Sequence, residues 1–247
     1  NVVVNAGVES GSGHISVLGQ VDVTQAALGD ISTMGTGTID VEAITGAIIM
    51  ADDAQASTAD ANIRYQAATD LALGGIDAGT SNVSLTATAG HITDNGDTHV
   101  EVVAAELRLM AGGNIGEAAG SNNGHLDTSV DKVTADASGS DGIFVTNNKA
   151  VTVGEVDTVI VNRVDIATAI NDEADTTNQS DLVTQTNGGN IVLVTSAGDL
   201  TVSEGADTGD DLGVLATGVG YILLSSEVAN VVVNAGVESG SGHISVL

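Results

Sequence analysis

The sequence predicts an all-β fold, a β-solenoid whose successive turns stack as parallel strands. Three observations carry this expectation: the composition, a long identical duplication, and a shorter period inside it. Apolar residues make up 42% of the 247 residues, yet the aromatic share is 1%, namely Phe144, Tyr65 and Tyr221. A globular core of this size is normally built around several large rings. Val, Ile, Leu and Ala with 32 glycines suit thin stacked layers instead.

The duplication sets the organisation. Residues 1–18 and 230–247 both read NVVVNAGVESGSGHISVL, so the period is 230 − 1 = 229 residues. Identity over so long a run marks a tandem array. Residues 1–229 form one full unit and 230–247 begin the next identical one. Both ends fall in strand-like runs, Val2 to Val4 and Ile244 to Leu247. The expectation is a segment of a longer polypeptide, with any signal peptide, anchor or tip domain outside it.

The shorter period predicts the turns. Ile15, Ile39, Ile63, Val83, Leu107, Val133, Val159, Ile191 and Ile222 are taken as equivalent, with gaps of 24, 24, 20, 24, 26, 26, 32 and 31. That gives about nine rungs per unit. Runs such as Ile191-Val192-Leu193-Val194 and Val83-Ser84-Leu85-Thr86 send alternate side chains inward. With no proline in the chain, corners fall to Gly, Asn and Asp, which accept left-handed backbone. The stretches Val102 to Met110 and Asp165 to Ala174 read as strands, since no helical repeat is sustained. Polar stretches at 172–181 and 203–213 read as protruding loops. Asn122-Asn123 and Asn147-Asn148 are candidates for amide ladders between rungs.

Charge excludes several partners. The net charge is −28, from 33 acids against Arg64, Arg108, Lys132, Lys149 and Arg163. Nucleic acid needs a basic face, and an anionic membrane surface is repelled. No apolar run approaches the ~18 residues of a membrane span. The absence of cysteine excludes disulfides and thiolate metal sites.

The phrases SNVSLTATAGHITDNGD (81–97), AELRLMAGGNIGEA (105–118) and HLDTSVDKVTADASGSDGIFVTNNKAVTVGEV (125–156) resemble the shaft repeats of giant bacterial surface adhesins of the filamentous-haemagglutinin type. The resemblance covers most of residues 61–156. It implies a right-handed parallel β-helix, secretion across the outer membrane of a Gram-negative-type bacterium, and a cell-surface or matrix role. It carries over no functional residue.

Carboxylates in the polar loops are the candidates for chemistry. Asp94 and Asp97 flank Asn95-Gly96, Asp207, Asp210 and Asp211 lie near Glu204, and Asp172 and Asp175 flank Glu173. Calcium takes six to eight oxygens, and such loops can supply several, although none has the EF-hand spacing. Ca²⁺ is therefore the candidate cofactor, against the alternative of solvated turn acids. Parallel β-helices also host polysaccharide-active enzymes, which need paired carboxylates and sugar-stacking rings. With so few aromatics, catalysis is not expected. His14, His91, His99, His125 and His243 show no acid–His–nucleophile spacing, and the glycine pairs lack a phosphate-loop lysine. The expected function is the structural shaft of a tandem-repeat surface fibre. Its partners are identical units end to end, with lateral self-association as a further possibility. The alternative is a repetitive binding module whose acidic loops take calcium, glycans or neighbouring fibres.

Overall fold

A computed structural model of the chain describes all residues except 96–98, 119–123, 186–187 and 206–208. It is all-β and forms a parallel solenoid of about 10 turns. In the lower turns each turn contributes three strands, so the strands stand in three columns. The first column runs through Val2–Val4, Val23–Gln25, Ile48–Met50, Leu71–Leu73 and Ile92–Asp94. It continues through Ile115 to Gly142–Asn147, Asn190–Thr195, Ile222–Ser226 and Ile244–Val246. The second holds Val8–Ser10, Ile31–Thr33, Gln55–Thr58 and Gly75–Asp77. The third holds Ile15–Gly19, Ile39–Ala43, Ile63–Ala67 and Asn82–Ala87.

In turns five and six the second and third columns merge into the long strands Val102–Ala111 and Leu126–Ala137. From turn seven, two short strands replace the long one. Val151–Val153 stacks over Val133, and Leu182–Thr184 over Ala135–Ala137. Ile15, Ile39, Ile63, Val83, Leu107 and Val133 do stand in one register. Val159, Ile191 and Ile222 do not belong to it, and Ile191 and Ile222 stand in the first column. The chain leaves the stack after Gly154 and rejoins at Leu182, and an antiparallel pair, Ile160–Val164 with Ile170–Ala174, lies between. Val102 to Met110 is strand, as expected, while 165–169 is the turn of that pair.

The interior is an aliphatic ladder. Ile39, Ile63, Val83, Leu107 and Val133 are fully buried one above another, as are Ile48, Leu71, Ile92 and Ile115. Each inward side chain packs on its counterpart a turn away, which the ~4.8 Å strand spacing permits without large rings. Tyr65 is the exception. It is buried whole, and its hydroxyl donates to Gln25 Oε1 at 3.0 Å. Burial drives its pKa far up, so it stays neutral.

One corner explains the Gly and Asx signature. Asp70 Oδ1 accepts the backbone N–H of His91 at 2.9 Å, His91 Nδ1 accepts that of Asn114 at 3.0 Å, and Asn114 Oδ1 accepts that of Asp141 at 3.1 Å. Each side chain thus satisfies an amide of the turn above, where no ladder partner exists. The neighbouring residue must leave room for it. A Cβ on Gly90 would lie 2.4 Å from Asp70 Oδ1, and one on Gly139 1.9 Å from Asn114 Oδ1. Asn147 forms no ladder with its own kind. Buried, it accepts from Val130 N and donates to Val130 O and Lys149 O. Asn122 and Asn123 lie outside the described residues.

Candidate functional site

The outward positions of the third column make an unusual row. One residue past each core aliphatic stand Ser16, Asp40, Arg64, Ser84, Arg108 and Thr134, in register turn by turn. Such positions on an isolated wall face water. Here Asp40, Arg64, Ser84, Arg108 and Thr134 are buried, because residues 155–181 fold back down the outside of the stack as a strap. The strap crosses the strands from turn five to turn one. Gln179 donates to Leu109 O at 2.8 Å, Asp175 Oδ1 accepts from Ser84 Oγ at 2.9 Å, and Ile160 O accepts from Asn62 Nδ2 at 2.9 Å. Asn162 N donates to Thr38 Oγ1 at 2.8 Å. Val156, Val159 and Val161 supply its apolar underside and are fully buried.

Charge clamps the strap in place. Asp40 has no solvent exposure. Its Oδ1 takes Arg64 Nη1 at 2.7 Å from the wall, and its Oδ2 takes Arg163 Nε at 2.7 Å from the strap. Arg163 also reaches Glu42. Burial alone lowers the Arg163 pKa, but the pull of Asp40 and Glu42 outweighs it and the group is held above its ordinary value. The second clamp is weaker. Arg108 Nη1 stands 3.4 Å from Asp175 Oδ1, and its Nε and Nη1 make no hydrogen bond. Here desolvation outweighs the attraction of Asp175 and Asp136, and the Arg108 pKa is lowered. Asp136 is pushed up by burial, against the hydrogen bond from Gln185 and the charge of Arg108. Three of the chain's five cations, Arg64, Arg108 and Arg163, are thus committed to one seam.

The predicted acidic loops are distributed differently. The stretch 172–181 does not protrude, because it is the returning arm of the strap. Asp172 lies in its second strand and accepts from Asn162 Nδ2 at 2.6 Å, while Asp175 is held between Ser84 and Arg108. Of these two acids only Asp175 is drawn onto the wall, while Asp172 and residues 176–178 stay exposed on the outer side of the arm. Asp94 ends a first-column strand. Asp210 and Asp211 are exposed, and Asp210 Oδ1 accepts from Leu212 N at 3.2 Å. Asp97 and Asp207 lie outside the described residues. Among the described residues, no three His, Asp or Glu side chains gather closely enough to hold a metal ion.

Two surface grooves stand out. One of about 780 Å³ follows the corner ladder and is lined by Asp70, His91, Asn114, Glu117 and Asp141. The other, of about 370 Å³, lies on the outer face of the first column near the top. Phe144, Val192, Leu223 and Ser245 form its floor, with Tyr221 and His243 at its edge. The Tyr221 and His243 rings stack at 5.5 Å and 11°.

Sequence reasoning missed the strap clamp. The available signal was the placement of Asp40, Arg64 and Arg108 at equivalent outward positions in a chain with few cations. Compared with protein-family models, curated proteins and solved structures, the chain matches none.

Proposed function

We propose that this chain is a length of stiff shaft from a giant extracellular tandem-repeat protein, an adhesin stalk, matrix or sheath component, with no catalytic role. One observation carries the reading. The second copy of the duplicated segment does not start a new body but resumes the stack. Val231–Val233 lies on Leu200–Val202, Val237–Ser239 on Val214–Ala216, and Ile244–Val246 on Ile222–Leu224. Asp199 Oδ1 accepts both the backbone N–H and the Nδ2 of Asn230 at 3.0 Å. The end of one unit is therefore complementary to the start of the next, and a backbone ladder without a break resists bending. The resemblance of residues 61–156 to haemagglutinin-type shafts adds the surface location and the Gram-negative-type origin. Electron microscopy of chains with one, two and four units tests the reading. Rods should lengthen by roughly 40 Å per unit, from ~4.8 Å per turn. Separate beads on a string would overturn it.

The corner groove, lined by Asp70, His91, Asn114, Glu117 and Asp141, favours a second reading as a repeated ligand-binding surface, on which calcium would gather diffusely and not in a chelating site. If chelating calcium shortens or softens the rods, that reading gains. Unchanged rods and unchanged adhesion sink it.

A further inference from the structure

The outer groove at the top of the stack can be placed relative to the following unit by the register of the repeat. Successive pairing leads from Val2 through Val23, Ile48, Leu71, Ile92, Ile115, Ile143, Ile191 and Ile222 to Ile244, nine turns up one column. The equivalent of Ile244 in the first copy is Ile15, since 244 − 229 = 15. Ile15 stands two strands beyond Val2 in the first turn. One unit is therefore nine turns less two faces, or eight turns and one face. Each unit begins one face further round the shaft than the last.

This offset moves the strap. In the first unit the strap lies over the column of Ile15. In the following unit it lies over the column of Ile244, the first column. There Ser245, the equivalent of Ser16, sits above Leu223, then Val192, then Phe144. These residues are the floor of the apolar groove. The outward row under the first unit's strap is Ser, Asp, Arg, Ser, Arg and Thr, so an outward row of half-buried Val192 and Leu223 above the buried Phe144 is a departure that calls for a cover.

The strap reaches far enough to supply one. Ser16 in turn one meets the strap already at Asn162. The chain continues downward through Arg163 and Val164 into the turn 165–169 before Ile170 heads back. At ~3.3 Å per strand residue against ~4.8 Å per turn, the turn overhangs the lower end of its own unit. Ile166 at its tip is fully solvent-exposed, at 107%. Asp165 fixes the turn by accepting the N–H groups of Ala167 and Ala169.

Building on the shaft reading, we propose that the strap turn of each unit, with Ile166 at its tip, seats in the Phe144–Val192–Leu223 groove of the preceding unit. Each strap then laps a unit joint as a splint laps a break. Successive straps step one face round the shaft and return to the same face after three units.

The chain lacks cysteine, so introduced pairs can be read without background. In a chain carrying residues 1–229 twice in succession, Leu223→Cys in the first unit is combined with Ile166→Cys in the second. Mild oxidation should close a disulfide, mapped by peptide mass. Thr201→Cys, on the outside of the neighbouring column, should not pair with the same Ile166→Cys. A bond to Thr201, or to neither, in chains that still form continuous rods overturns the seat and leaves the shaft reading standing. Loss of the rods in the unsubstituted two-unit chain overturns both.

Discussion

The inside of the stack and the seam beneath the strap are built on opposite principles. Inside, Ile39, Ile63, Val83, Leu107 and Val133 repeat one contact turn after turn. No single residue is irreplaceable, and loss of one leaves the turns above and below paired. Under the strap, three buried valines and single hydrogen bonds are joined by a few ions, and Asp40 alone joins Arg64 of the wall to Arg163 of the strap. Redundant apolar layers make the body of the rod, and singular polar contacts fix what lies on it. The two should therefore fail differently.

The largest effect is expected at the seam. Asp40→Asn takes the carboxylate from the buried Arg64 and from the half-buried Arg163, which keeps Glu42, a loss of about 3 kcal/mol. The strap should detach first, so limited proteolysis within 160–174 should accelerate while amide exchange in the third-column strands stays slow. Equal acceleration everywhere would dissolve the distinction. Next comes the interior. Leu107→Ala opens a cavity in one layer and should cost roughly 3 kcal/mol in chemical denaturation, with the strap still protected from protease.

A smaller effect follows from pH. His125 packs on Phe144 at 5.8 Å, and burial holds its pKa below the ordinary 6.5. The folded state favours the neutral ring. Its contribution is complete above the unfolded pKa and is lost as pH falls through the lowered folded value. Acidifying from about pH 7 to about pH 5 should lower the melting temperature more for the native chain than for His125→Gln. Equal slopes would remove His125 from the account. The smallest effect belongs to Lys149→Ala. Its partner Asp131 is 70% exposed, and such pairs are worth about 0–1 kcal/mol. Denaturation midpoints should barely move.

The stack itself was legible because a parallel solenoid writes its period into the chain. Six of the nine equivalent positions hold in one column, and Ile191 and Ile222 pair with each other. The strap was hidden for a physical reason. TVIVNRV at 158–164 has the alternation of any wall strand, and alternation reports that one face is covered without saying by what. Its covering is a wall more than a hundred residues earlier, at Thr38 and Asp40. The polar run at 172–181 misled in the complementary way. Asp and Asn usually mean water, but Asp175 found Ser84 and Arg108. The phase of the repeat was hidden too, because sequence spacing counts residues and not faces.

Pairing three arginines with acids in the seam leaves the visible surface more lopsided than composition suggests. Lys132 and Lys149 are the cations outside it. With about 10 turns at ~4.8 Å each, the 28 net charges fall one per roughly 1.7 Å of axis, the linear density of double-stranded DNA. A rod so charged draws a sheath of mobile counterions along its length without any dedicated pocket. Neighbouring rods would then stand apart in dilute salt and draw close as ionic strength shrinks the screening length to about 8–10 Å, making the spacing of a bundle a property of the surrounding water.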